Sequence, residues 1–179
     1  MEKNPAVPRE PGHEVGDAHG LLLAYLDYYR AVVLAKVDGL SEEELRTSRL
    51  PSGWAPLEMI WHLAHVERRW LRWGFLGEAV EEPWADWLHG PGGEKQRWAV
   101  PDGVSTAEVL ETFHRYAADS RAITADVALE ARAEGGGRFA GEGEAPTLGW
   151  ILFHLLQEYA RHAGHLDVVR ELADGTRGE

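Results

Sequence analysis

The stretch HLLQEYARHAGHLD, at residues 154–167, combines an apolar helical stripe with ionisable side chains. At about 100° per residue, four apolar residues of this region fall on one side of a helix: Ile151, Leu155, Leu166 and Val169. Glu158 and His162 fall in the middle of the same stripe. Burying an ionisable pair is unfavourable unless a partner satisfies it. The pattern therefore predicts either a metal ion or a buried hydrogen-bond network at this point of the core.

The composition indicates one globular domain that is rich in flat side chains. The chain has 179 residues, of which 44% are hydrophobic and eight are Trp. A chain of this length can bury a sizeable core, so we expect a single domain over residues 15–176. Residues 1–14 are polar and contain three Pro, which is typical of a flexible lead-in. The many Trp predict an aromatic core or pocket.

Charge and cysteine content limit the possible functions. The formal net charge of −12 argues against binding to the nucleic-acid backbone, which requires basic patches. The absence of Cys excludes disulfides and thiolate metal sites, so a metal would be held by His, Asp or Glu. Any thiol chemistry would need a thiol from a small molecule. No secretory signal or membrane-spanning run is visible, so we expect no membrane partner and a cytoplasmic location.

Apolar periodicity predicts an all-α fold, a four-helix bundle with long loops after helices two and three. The long helices are expected at about residues 16–37, 56–76, 105–129 and 146–173. A short helical turn should begin after Ser41, and both Ser41 and Ser105 begin capping-box patterns. Residues 77–104 form a Trp-rich connection typical of a lid or pocket wall. Residues 134–144 are Gly-rich and predict a mobile loop, and no strand pattern is found.

Two histidines of the second helix differ in their predicted environment. His62 shares its side of the helix with apolar residues, so we predict that it faces the core: Met59, Val66 and Trp73. His65 shares its side with charged residues that are typical of a solvated face: Glu58, Arg68, Arg69 and Arg72. We therefore predict His62 inside and His65 outside.

A set of His62, Glu158 and His162 would suit a divalent metal. Two ligands one helical turn apart, joined by a third from a facing helix, leave positions open for water or substrate, as catalytic sites require. Two alternatives remain open at this point. A core histidine can instead bind a backbone carbonyl, and the Glu–His pair can be an ion pair between neighbouring turns.

Three further residues are predicted next to the site or in its pocket. His154 and His165 flank the stripe, and Trp73 lies on the inward side of the second helix. No catalytic or cofactor-binding residue is assigned from the sequence.

Several motifs together resemble the DinB superfamily. They are LLLAYLDYYRAVVLAKVDG at residues 21–39, PSGW at 51–54, HLA at 62–64, and EYARHAGHLD at 158–167. The likeness is greatest to the branch with mycothiol-dependent maleylpyruvate isomerase-type metal sites. It implies a four-helix bundle that holds a divalent metal through His62, Glu158 and His162. Zinc is the first expectation, and nickel, iron and manganese accept the same donors.

The resemblance also implies a reaction class. Enzymes of this superfamily use a low-molecular-weight thiol, mycothiol or bacillithiol, as cosubstrate, and the thiolate attacks an electrophile in a transfer or an isomerisation. A homodimer is a further expectation. Two other functions stay open: a non-enzymatic metal-binding or stress-related protein on the same scaffold, and a metal-dependent hydrolase in which Glu67 or His65 acts as a base.

Overall fold

The structure, a computed structural model, describes residues 8–89, 95–141 and 143–177 and confirms the all-α fold. Its α-helices are α1 Ala18–Val37, α2 Glu42–Arg46, α3 Pro56–Arg68, α4 Thr106–Thr124 and α5 Leu148–Asp174. The four long helices are those that the periodicity predicts, although α4 ends before the predicted residue 129. Part of the predicted lead-in, residues 1–7, lies outside the described residues, as do 90–94 and 142 in the two long connections. None of the described helices is both long and apolar enough for a membrane span.

The helix ends follow from local sequence. The Ser41 side chain caps the Glu44 backbone N–H, and the Glu44 carboxylate accepts in return from the Ser41 N–H at 2.9 Å. Ser105 and Glu108 form the same reciprocal pair at the start of α4. Each pair satisfies backbone donors that a helix leaves free at its first turn. Gly175 ends α5 with φ of 76°, a conformation that glycine adopts without strain.

The second long helix changes its geometry where the sequence predicts an uninterrupted helix. After α3, residues Arg69–Phe75 form a π-helical segment. A π-turn contains one residue more than an α-turn and is common near functional sites. This segment leads directly into the long connection that the sequence marks as a pocket wall.

The long connection contains a small antiparallel hairpin, which the sequence does not predict. Strand β1 is Trp87–His89 and strand β2 is Lys95–Trp98. Trp87 lies opposite Trp98, and the Ala99 N–H donates to the Asp86 carbonyl at 2.9 Å. Strands of three and four residues are too short to show an alternating pattern. The pairing brings Trp87 and Trp98, which are eleven residues apart in the sequence, side by side.

The described part of the Gly-rich connection packs on the π-helical segment. The Glu134 N–H donates to the Phe75 carbonyl at 2.9 Å, and Phe139, the last residue of a single 3₁₀ turn, is buried. Gly137 has φ of 52°, and a Cβ there would lie 2.1 Å from the Trp73 carbonyl oxygen. Only glycine fits such an approach. The predicted mobile loop is thus closely packed at these residues.

A buried ion pair joins α1, α3 and α5. The Arg30 guanidinium donates from Nε and Nη2 to the two carboxylate oxygens of Glu67, at 2.8 and 2.9 Å. The Tyr159 hydroxyl donates to Glu67 Oε1 at 2.7 Å. Burial and the Glu67 charge raise the pKa of Tyr159. Burial alone would lower the pKa of Arg30, but the Glu67 carboxylate outweighs burial and raises it.

Glu67→Gln should destabilise the protein by about 3 kcal/mol, because it removes the buried counter-charge of Arg30 and leaves only the half-exposed Asp27 to pair with it. Urea unfolding measures the loss. Tyr159→Phe removes a single hydrogen bond and should cost about 1 kcal/mol. Arg46→Gln, in an exposed pair with Glu42, is the surface control and should change stability by less than about 0.5 kcal/mol. Equal midpoints for Glu67→Gln and the wild type would contradict this assignment.

Candidate metal centre

Three metal-ligand side chains from two helices meet in the bundle. His62 comes from α3, and Glu158 and His162 come from α5, one turn apart. One potential ligand atom from each lies within 4.8 Å of the others. Glu158 Oε2 is 3.2 Å from His162 Nε2 and 3.9 Å from His62 Nε2. The two histidines are buried and Glu158 is half-buried, so the cluster lies at the inner end of a partly open site.

The hydrogen bonds of His62 define which of its nitrogens is free. Nδ1 of His62 is 2.6 Å from Oδ2 of Asp86. Because a carboxylate only accepts, Nδ1 carries the hydrogen, and in the neutral ring the lone pair is on Nε2. Nε2 is buried and has no hydrogen-bond partner among the described residues.

An unpartnered nitrogen in this position fits a metal. Buried polar atoms normally have a partner, so an exception calls for a physical explanation. A divalent ion beside Glu158 and His162 would bind the lone pair of His62 Nε2. The donor set of two imidazoles and a carboxylate is therefore chemically and geometrically suited to a metal ion.

The protonation states of the cluster favour the same interpretation. The hydrogen bond from His162 and the nearby His62 ring lower the pKa of Glu158 well below its ordinary value, although burial opposes the shift. Burial lowers the pKa of His162, and the nearby Glu158 only partly offsets this. Glu158 is thus ionised and His162 is neutral near pH 7. These are the forms in which the two side chains bind metals.

Asp86 is the site residue that the sequence analysis misses. Its carboxylate is fully buried, accepts from His62 and forms an ion pair with Arg69. Burial would raise the pKa of Asp86, but the hydrogen bond to His62 and the Arg69 charge together lower it. A carboxylate behind a metal-binding histidine fixes the ring and its tautomer. The position of Asp86 between Trp84 and Trp87 is the sequence feature that could have predicted its role, because a carboxylate buried among aromatic residues needs a polar partner.

The burial of Arg69 corrects the prediction of a solvated Arg68–Arg69–Arg72 face. Arg69 is only 3% exposed. It lies seven residues, about two helical turns, after His62, so both side chains point to the same side of the helix. The long connection covers this side and supplies Asp86 to both.

The prediction that His65 lies at the surface is also wrong. The His65 ring is 2% exposed, and its Nδ1 donates to the Trp61 carbonyl at 2.9 Å. Helix α4 covers this side of α3, with the Tyr116 ring 5.6 Å from the His65 ring. Burial lowers the pKa of His65 to about 4. Helical periodicity could not reveal α4 as the cover, because α4 is distant in sequence.

Two of the three supporting residues contact the cluster. Nε2 of His154 is 3.2 Å from Oε1 of Glu158, the oxygen that faces away from His162. Nδ1 of His165 is 3.2 Å from Nδ1 of His162, and the His165 ring packs on Trp54 at 5.7 Å. His154 therefore contacts the potential ligand Glu158, and His165 contacts the potential ligand His162.

Trp73, the third of these residues, lies elsewhere in the fold. Its ring packs edge-on against Trp84, with the centroids 5.6 Å apart, and near the Arg138 guanidinium. It is not among the described residues that line the cavity beside the cluster.

A cavity of about 680 Å³ lies beside the cluster. Trp54, Trp87 and Trp98 form part of its wall. The Trp98 ring stacks on His62 with the centroids 3.7 Å apart and the planes at 14°. It also meets His162 edge-on at 5.2 Å. Trp98 thus shields both histidines on one side, and the cavity gives access for small molecules.

Acidification should lower the free energy of unfolding more in the wild type than in His65→Gln. The unfolded chain binds a proton at His65 near its ordinary pKa of 6.5, whereas the folded chain does so only near 4. Stability from this residue is complete above pH 6.5 and is lost as the pH falls toward 4. Between these values the wild type should lose about 2 kcal/mol more than the variant.

Urea unfolding at several pH values, with a metal chelator present, measures this difference. His114→Gln changes an exposed histidine and serves as the control, with a pH dependence like that of the wild type. Parallel curves for the wild type and His65→Gln would refute the assignment.

The sequence also matches a known family over most of its length. The profile of the mycothiol S-transferase family matches residues 21–175, which include all five α-helices apart from the first three residues of α1. No curated protein matches the chain significantly. The match agrees with the DinB-like motifs and with the helical fold. The chain therefore belongs to the mycothiol S-transferase family of the DinB-like superfamily.

Proposed function

We propose that the protein is a metal-dependent S-transferase that uses mycothiol as its thiol cosubstrate. Membership of the mycothiol S-transferase family supports mycothiol as the cosubstrate. The observation that supports metal binding is the buried, unpartnered Nε2 of His62 beside Glu158 and His162. Zinc is the first candidate, and nickel, iron and manganese accept the same donor set.

The charge of the donor set suits a thiol. His62 and His162 bind metals as neutral imidazoles, and Glu158 adds one negative charge. A divalent ion in this set would keep one unbalanced positive charge, which favours an anionic thiolate and supplies the Lewis acidity that lowers a thiol pKa. The chain contains no Cys, so the attacking sulfur comes from the cosubstrate.

The surrounding residues keep the site in one arrangement. Asp86 holds the His62 ring through Nδ1, and Arg69 holds Asp86. His154 contacts Oε1 of Glu158 and leaves Oε2 directed at the two histidines. Trp98 limits the access of water to the His62 face on which it stacks. Such fixed surroundings allow reacting groups to meet without rearrangement of the protein.

The two residues that the hydrolase alternative names as a base are both occupied away from the cavity. Both carboxylate oxygens of Glu67 are bound by Arg30, and one also accepts from Tyr159. His65 is buried against the Trp61 carbonyl. Neither Glu67 nor His65 is among the described residues that line the cavity. A purely structural metal site would have its open side filled, whereas this cluster adjoins a cavity of about 680 Å³.

Asp86→Asn should weaken metal binding about tenfold to a hundredfold, because it removes the charge that orients and polarises His62. His162→Ala, which removes a ligand, should weaken binding more. Titration of the metal-free protein with Zn²⁺ in competition with a chelator measures both effects. Asp119→Asn, in a half-buried pair with Arg72 outside the lining of the cavity, is the control and should bind like the wild type. Wild-type affinity in Asp86→Asn would rule out a role for Asp86 in metal binding.

The metal-loaded protein should catalyse the conjugation of mycothiol with 1-chloro-2,4-dinitrobenzene, and His162→Ala should reduce the rate at least a hundredfold, since it removes a ligand of the metal that would activate the thiol. Release of chloride and absorbance of the thioether provide the measurement. Bacillithiol under the same conditions tests the choice of thiol. An absence of turnover with either thiol in a fully metal-loaded sample would refute the proposed activity.

A further inference from the structure

Arg161 is a cation at the cavity that contains the candidate metal cluster. It precedes His162 in α5 and lies three residues after Glu158. Its exposed side chain lines the same cavity as both of these residues. No other Lys or Arg is found among the described residues that line this cavity.

The guanidinium of Arg161 has no partner among the described residues, which distinguishes it from the other described arginines of the chain from Arg30 onward. From Arg30 onward, every other arginine with a described side chain contacts an acid, a backbone carbonyl or an aromatic ring, or has another such interaction. The chain carries 30 acidic and 18 basic residues, so acids are in excess. An unpaired arginine in such a chain, placed at the mouth of a reactive site, is available for an external anion.

Glu158, the nearest acid in sequence, is already engaged. Its Oε1 contacts His154, and its Oε2 contacts His162 and faces His62. The carboxylate is therefore directed into the cluster, away from a pairing with Arg161. The positive charge of Arg161 is not neutralised by the wall of the cavity.

The rest of the cavity wall favours a flat, apolar ligand. Trp54, Trp87 and Trp98 all line it, together with Leu50 and Pro51. Indole rings bind planar molecules through broad apolar contact and stacking. A planar body between these walls can place a charged substituent toward the exposed guanidinium at the opening.

We propose that Arg161 binds the carboxylate of a planar aromatic electrophile and so selects this substrate class. The inference rests on the proposed thiol-transfer function for its chemistry, but the binding that it assigns to Arg161 is independent of turnover. A guanidinium binds a carboxylate through two parallel N–H···O bonds, so it fixes direction as well as charge. Arg161 is accordingly a specificity residue and takes no part in bond making.

The corresponding reaction can be written for 4-chloro-3-nitrobenzoate. The thiolate sulfur of mycothiol forms a bond to the ring carbon that carries chlorine. The carbon–chlorine bond then breaks, and chloride leaves with the bonding pair. The thiol proton passes to solvent, and no oxidant or reductant is consumed.

Binding is tested without the thiol, using two unreactive probes. Calorimetric titration of the metal-loaded protein with 3-nitrobenzoate should show affinity about fivefold lower in Arg161→Gln than in the wild type, the size expected for a partly exposed charge pair. Arg161→Lys should retain part of the affinity. The uncharged probe 3-nitrobenzamide should bind the wild type and Arg161→Gln equally. Arg132→Gln changes an exposed arginine in a pair with Glu144 and is the matched control, with wild-type affinity for both probes.

Turnover then identifies which cosubstrate Arg161 contacts. With mycothiol, Arg161→Gln should raise the KM for 4-chloro-3-nitrobenzoate about fivefold, leave kcat within about twofold, and leave the KM for 4-chloro-3-nitrobenzamide unchanged. With the amide as electrophile, the KM for mycothiol should also be unchanged.

Two results would overturn the inference. Equal 3-nitrobenzoate affinity in the wild type and Arg161→Gln would show that the carboxylate binds elsewhere, the metal included. A raised KM for mycothiol in Arg161→Gln, with the uncharged electrophile, would assign Arg161 to the thiol. If neither electrophile reacts but the difference in probe affinity is present, the thiol-transfer proposal fails while carboxylate binding at Arg161 is supported.

Discussion

The hydrogen bond between Nδ1 of His62 and the buried carboxylate of Asp86 is the interaction on which the site depends. It sets the tautomer of His62, turns its lone pair toward Glu158 and His162, and anchors the long connection to the bundle. The Arg69 charge makes this bond possible, because an isolated carboxylate in the core would be unfavourable. The same connection carries Trp98, so anchoring Asp86 also places the indole that stacks on His62.

Two buried arginine–carboxylate pairs hold the helices around this bond. Arg30 and Glu67 connect α1 with α3 and, through Tyr159, with α5. Arg69 and Asp86 connect the end of the second helix with the long connection. Ion pairs of this kind restrict helices to one relative position because any shift would break several charged hydrogen bonds together. A cluster assembled from separate helices requires such restriction.

The parts of the structure that the sequence predicts are those set by local periodicity. The long helices and the inward placement of His62 follow from the positions of apolar residues one turn apart. The errors concern non-local packing. His65 is buried by α4 and Arg69 by the long connection. A helical wheel drawn for one helix does not show which other elements pack against it. Asp86 lies at the end of an irregular segment, directly before a hairpin whose strands are too short to show a sequence pattern. An apolar stripe in the sequence identifies a buried helix face, but a face that carries polar side chains gives no such signal even when another element covers it.

The π-helical segment has a consequence for how the site can change in evolution. A π-turn is in effect one inserted residue within a helix. Deletion of one codon between residues 69 and 75 would restore an α-helix and rotate everything downstream by about 100°. The start of the connection that delivers Asp86 would then leave the helix in another direction. A chain without this extra residue would have to support the histidine at the position of His62 by a residue other than Asp86.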